Sequence, residues 1–216
     1  MLTTAMNNKF KIIKEKYEHL PYMREEQAAY LRSIILDNQF RSLCELGHYH
    51  GKSSLYMAAV LEEQGFGHLT TFDRLSTKVN PNILELLEEF DLKKYVTPIV
   101  SQEGYLWDMA QRIQEQKGKF DFCYLDGGHS FETTALGFVL IDLVLEKNGI
   151  VIFDDYSWTI EEAMPKFYLK TAYRDTTEKQ RKNKNIKMVC DIIVNNYNYE
   201  LVDYKPELDW IVYRKL

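Results

Sequence analysis

Hydrophobic spacing changes period several times along the chain. Residues 6–20 mix apolar and charged positions at helical spacing, which predicts a polar amphipathic helix ended by Pro21. "MREEQAAYLRSIILDN" puts Ala28, Leu31, Ile35 and Leu36 on one face and acids in its first turn, predicting a second helix. "FRSLCELG" then reads as a strand that turns at Gly47, and "KSSLYMAAVLEEQG" as a helix stopped by Gly65. The alternation continues with strand "HLTTFDRL", helix "PNILELLEEFDL", strand "YVTPIVSQ" and helix "YLWDMAQRIQEQKG". Strand "FDFCYLDGG", helix "FETTALGFVLIDLVLEKN" and strand "GIVIFDDY" follow. Five such alternations predict a parallel sheet with helices on both faces. The near-continuous apolar runs "FCYL" and "IVIF" suit strands covered on both sides. Residues 157–184 break the pattern with mixed composition and weak periodicity. "IKMVCDIIVNN" reads as one more helix, and "YELVDYK" and "LDWIVYRKL" as two strands that pair antiparallel.

The 216 residues, 45% of them hydrophobic and 27% charged, fit one globular domain, 1–216. The N-terminal helices occupy 1–38 and an insertion or lid 157–184. A net charge of -5 argues against a generic nucleic-acid partner. Cys44, Cys123 and Cys190 lie in apolar stretches without a C-x-x-C pair, and the N-terminus has no secretory apolar region, so a cytoplasmic protein is expected. The longest apolar run is interrupted by Asp142, so no membrane span is expected. The N-terminal helices fit either a homodimer contact or a cap on their own sheet.

Open parallel sheets bind ligands beyond the carboxyl ends of their strands. Here those ends carry Glu45 and Gly47, Asp73, Ser101 and Gln102, Asp126 with His129, and Asp154 with Asp155. The spacing Gly47-x-x-x-Gly51 departs from the G-x-G-x-x-G of pyrophosphate-binding turns, which weakens a nicotinamide or flavin reading. Asp73 stands where an acid accepts ribose hydroxyls. Asp126, Asp154 and Asp155 end neighbouring strands, and carboxylates gathered at one place point to a hard divalent cation such as Mg²⁺; a turn-capping role for Asp154 or Asp155 is the alternative. His129 is a candidate general base, with helix capping as its alternative. His48 and His50 read as turn residues. Gly128–Ser130 fails as a hydrolase elbow because position 132 holds Glu132. The basic run Lys179–Lys187 reads as solvated loop, with an anionic substrate group as the sharper alternative; Trp158, Tyr168 and Tyr173 could line an acceptor or pack within the insertion.

"CELGHYHGKSS" resembles motif I of class I S-adenosylmethionine-dependent methyltransferases. "YLDGGHSFE" followed by "GIVIFDDY" is similar to the small-molecule O-methyltransferases of catechol and sugar type. The resemblance runs from about Met23 to the C-terminus and excludes 157–184. It implies a Rossmann-like, doubly wound seven-stranded α/β sheet, mostly parallel with an antiparallel C-terminal strand, preceded by a helical extension. It also implies methyl transfer from S-adenosylmethionine to a hydroxyl of a small molecule, a sugar or secondary metabolite, with metal assistance. Glu45, Gly47, Tyr49, Gly51 and Ser53 would surround the methionine end of the cofactor. Asp73 would hold the ribose, Ser101 and Gln102 would edge the adenine, and Asp126 would serve cofactor or metal. A hydroxylase-like relative and a non-catalytic ligand-binding scaffold are the rival readings on the same fold.

Overall fold

The computed structural model describes residues 8–74, 79–163 and 175–216. Strands β1 (Ser42–Leu46), β2 (His68–Arg74), β3 (Val96–Ser101), β4 (Phe120–Leu125), β5 (Leu145–Phe153), β6 (Tyr199–Lys205) and β7 (Trp210–Lys215) form one sheet in the order β3-β2-β1-β4-β5-β7-β6. β3 through β5 pair in parallel, and β7 runs antiparallel to both β5 and β6. The expected seven-stranded α/β sheet with a reversed C-terminal strand is therefore present.

Side chains along a strand alternate faces, and the core divides accordingly. Leu43, Phe122, Tyr124, Ile150, Ile152, Trp210 and Val212 pack on one face against α1 (Asn8–Tyr17), α2 (Glu25–Asn38), α3 (Lys52–Gln64) and α4 (Ile83–Glu89). Cys44, Cys123, Leu125, Val151, Phe153, Ile211 and Tyr213 pack on the other against α5 (Tyr105–Gln114), α6 (Phe131–Val144) and α9 (Asn185–Ile192). All three cysteines are buried free thiols. The N-terminal helices bury Phe10, Ile13, Ala28 and Leu31 in this chain's own core, so they cap its sheet.

One boundary differs from expectation. The apolar run at 131–148 leaves the helix at Val144, and Leu145 already pairs with Phe120 as the first residue of β5. Leu145 is buried, and its place in the core overrides the helical period. Short helices α7 (Ile160–Ala163) and α8 (Glu178–Lys182) occupy described parts of the 157–184 segment. Tyr168 and Tyr173 lie outside the described residues. Among the described residues, no helix is long and apolar enough to cross a membrane.

Candidate active site

Parallel pairing brings the carboxyl ends of β1, β2, β4 and β5 side by side. Backbone hydrogen bonds tie these ends together: Gly47 N–H donates to Phe72 O (2.9 Å), Asp126 N–H to Leu46 O (2.9 Å) and Asp154 N–H to Leu125 O (3.2 Å). Gly47 has φ +92°, and a Cβ there would lie 2.2 Å from the Asp126 carbonyl oxygen, so only glycine fits between the strands. Gly51 has φ +93°, and a Cβ there would lie 2.7 Å from the Ile83 side chain. Tyr49 also adopts positive φ (49°). Its ring meets His50 edge-on at 4.6 Å and Tyr22 at 5.6 Å, which brings the segment before α2 onto the turn. Lys52 adds a second tie, donating to Leu20 O at 3.0 Å.

Asp73 fastens this turn from β2. Its Oδ2 accepts the backbone N–H groups of His48 (3.0 Å) and Tyr49 (2.6 Å), and its Oδ1 accepts that of Arg74 (2.7 Å). A carboxylate offers about four lone-pair sites, so one stays available to a ligand hydroxyl. Glu45 is fully buried; its carboxylate accepts from the hydroxyls of Ser53, Ser54 and Thr71 (2.7 Å for Thr71). Burial pushes the Glu45 carboxyl up to about 7 against the pull of those three donors, and the Asp73 charge adds to the rise. Glu45 and Ser53, expected at the methionine end, are thus bonded to one another beneath the turn and set its shape. Ser101 donates to Asp108 Oδ2 (2.6 Å) and accepts from Gly104 N–H (3.1 Å), while Gln102 is exposed at the rim next to the end of β2.

The second half of the site lies at the ends of β4 and β5. Asp154 Oδ1 accepts from the Trp210 indole N–H (2.6 Å) and the Asp155 N–H (2.8 Å); Oδ2 accepts from the Tyr124 hydroxyl (2.6 Å). Asp126 and Asp154 follow the ends of the paired strands β4 and β5. Burial, then the charges of Asp154 and Asp155, hold the Asp126 carboxyl well above the ordinary range. Burial and the Asp155 charge raise Asp154 to about 6. His129 Nε2 is 3.3 Å from Asp155 Oδ2, and its ring meets Trp158 edge-on at 5.0 Å. Burial lowers the His129 pKa below its ordinary value. Tyr105 supports the turn that presents His129: its hydroxyl accepts from Gly128 N–H at 2.7 Å, and a Cβ on Gly127 would lie 2.6 Å from its ring. Sequence reasoning missed Thr71, Tyr105, Tyr124 and Trp210, because the local pattern does not show which partner each side chain meets on a neighbouring strand or turn.

The expected cation site is not supported. The three acids do gather, but three of the lone-pair sites of Asp154 are filled by protein donors, and Asp155 faces His129. Among the described residues, no three His, Cys, Asp or Glu are arranged to hold a metal ion. The donor set as placed does not fit Mg²⁺, which needs near-octahedral oxygen ligation. No lysine or arginine among the described residues forms an ion pair with Glu45, Asp73, Asp126 or Asp154, so the floor of the site is a cluster of carboxyls, three of which burial holds toward the neutral form.

A glycine turn after the first strand, an acid ending the second and a single reversed strand next to the sheet's last strand define the class I methyltransferase architecture. The family model described as "Methyltransferase domain" matches residues 44–156, more than half of the chain, and the chain belongs to that family. No curated protein matches it. Among solved structures, an O-methyltransferase from Bacillus cereus in complex with S-adenosylhomocysteine is 13% identical, with TM-score 0.67 over 99% of this chain and 92% of that one. The O-methyltransferase TomG from Streptomyces achromogenes, involved in tomaymycin synthesis and bound to S-adenosylmethionine, is 15% identical, with TM-score 0.67 over 100% and 92%. A methyltransferase from Podospora anserina, bound to S-adenosylhomocysteine, is 13% identical, with TM-score 0.64 over 99% and 88%. At these identities the likeness establishes the shared fold.

Proposed function

We propose that the protein transfers a methyl group from S-adenosylmethionine to a hydroxyl of a small molecule, a sugar or another secondary metabolite. The observation that carries this reading is the carboxyl-lined strand-end floor beneath a glycine turn, in a chain of the methyltransferase-domain family. The cofactor is a sulfonium cation, and it supplies the electrophilic methyl group. Gly47, Tyr49 and Gly51 shape its methionine end, and Asp73 offers its remaining lone pair to the ribose. Ser101 and Gln102 border the adenine side, and Asp126 lies on the floor between the cofactor and His129.

His129 serves as the general base. His129 Nε2 lies 3.3 Å from Asp155 Oδ2, and burial favours the neutral imidazole that a base needs. Its unprotonated ring nitrogen takes the acceptor's hydroxyl proton as oxygen bonds to the methyl carbon and the carbon–sulfur bond breaks. Trp158 packs edge-on against the imidazole and restricts its orientation. The rest of the work is alignment of the two reactants. The basic run Lys179–Lys187 adjoins this half of the site, since Asn185 Nδ2 donates to the His129 carbonyl at 3.4 Å.

Calorimetric titration with S-adenosylhomocysteine, in Mg²⁺ and again in EDTA, tests the reading. Micromolar binding in both supports it and directs acceptor screening to hydroxylated sugars and catechols. No binding in either refutes it.

A further inference from the structure

Thr71 stands at the meeting point of two groups that the methyl-transfer scheme leaves unexplained. It is fully buried on β2, directly opposite Glu45 in the β1–β2 register. Its Oγ1 is 2.7 Å from Glu45 Oε2 and 3.0 Å from His48 Nδ1. A threonine hydroxyl has one proton. Above about pH 7 Glu45 is ionised and has none to give, so that proton points to Oε2, and the oxygen of Thr71 must accept from the imidazole.

We infer that Thr71 and His48 are positioning residues for the cofactor turn, joined in a one-way chain from His48 Nδ1–H through the Thr71 hydroxyl to the Glu45 carboxylate. The backbone N–H of the same His48 is held by Asp73, so the residue after Gly47 is fixed by backbone and side chain at once. His48 is buried, and burial favours its neutral form. The chain therefore selects the tautomer with Nδ1 protonated and leaves the lone pair on Nε2. Removing the Thr71 hydroxyl strands the His48 donor and takes one of three hydroxyls from Glu45, which lets the turn tilt. The inference rests on the S-adenosylmethionine reading only for its effect on binding.

Protein labelled with ¹⁵N-histidine at about pH 8, where Glu45 is ionised, reports the tautomer directly, and the His48 signals are identified by their loss in His48→Asn. The expected pattern is a bare Nε2 and a protonated Nδ1 in the wild type, lost in Thr71→Val. S-adenosylhomocysteine should bind Thr71→Val at least about tenfold more weakly, the scale of one stranded buried donor. Thr71→Ser should restore both the tautomer and the affinity. A wild-type His48 protonated on Nε2 overturns the inference, as does a Thr71→Val protein that binds as tightly as the wild type. If the wild type binds no S-adenosylhomocysteine, the cofactor reading fails, and the tautomer alone decides this one. If Thr71→Val does not fold, the wild-type tautomer and the Thr71→Ser variant still decide it.

Discussion

Replacing Glu45 by glutamine removes a buried negative charge while keeping the side chain's shape. The carboxyl titrates near 4.5 in the unfolded chain and at about 7 in the folded protein, where burial opposes its ionisation. The folded state therefore holds this proton more tightly, and its stabilising contribution is lost as pH rises through about 7. Between pH 5 and pH 8 the two values correspond to a loss of between about 2 and 3 kcal/mol for the wild type. Glutamine does not titrate, so Glu45→Gln escapes this loss; rearranged hydrogen bonds to Ser53, Ser54 and Thr71 add an offset of about 1 kcal/mol that is independent of pH. Neighbouring acids titrate in both proteins and cancel in the comparison. The assay is urea unfolding of both proteins without cofactor at pH 5, 6, 7 and 8. The variant should gain on the wild type by roughly 1 M in midpoint across that range. Parallel curves would refute the view that Glu45 is an anion held against its preference.

A cation placed over Glu45 should draw off its proton, so S-adenosylmethionine binding at pH 7 should release protons, and S-adenosylhomocysteine binding should release fewer. Calorimetry in buffers of different ionisation enthalpy reads this, and proton uptake would contradict it. His129→Asn should lower kcat by about 10²- to 10⁴-fold while S-adenosylhomocysteine affinity stays within about twofold, and an unchanged kcat would remove the general-base role. Gly47→Ala should destabilise the protein by at least about 2 kcal/mol in denaturant melts, because its Cβ has no room beside the Asp126 carbonyl and its φ is positive. EDTA-treated enzyme should keep its transferase activity within about twofold. A collapse reversed by Mg²⁺ would show that Asp154 can leave its three donors to bind a cation.

Strand identities and the acidic strand ends were legible because each follows from local spacing: an apolar run, then an acidic residue, with a glycine close behind at β1 and β4. That logic places Asp73, Asp126, Asp154 and Asp155 at one edge of the sheet, as observed. It does not reveal what each side chain bonds to. Thr71 reaches Glu45 only because β2 lies in register beside β1, and Trp210 reaches Asp154 only because β7 lies beside β5. Such pairings depend on strand order and register, which the hydrophobic pattern leaves open. The same gap explains the metal expectation: three acids at neighbouring strand ends read as ligands until the donors from Tyr124 and Trp210 are seen. The end of α6 at Val144 was hidden for a related reason, since a buried leucine suits helix and strand equally.

The Trp210 indole that secures Asp154 lies 56 residues further along the chain. On a ribosome adding about 5–20 residues per second, Asp154 is made roughly 3 to 11 seconds before its partner. β1 to β5 all precede Trp210 in the chain, so they leave the ribosome and can pair while the acidic floor still lacks its indole donor. Docking of β7 between β5 and β6 is then the event that converts a formed scaffold into a formed site. The order of synthesis thus delays the completed active centre until nearly the whole described fold exists.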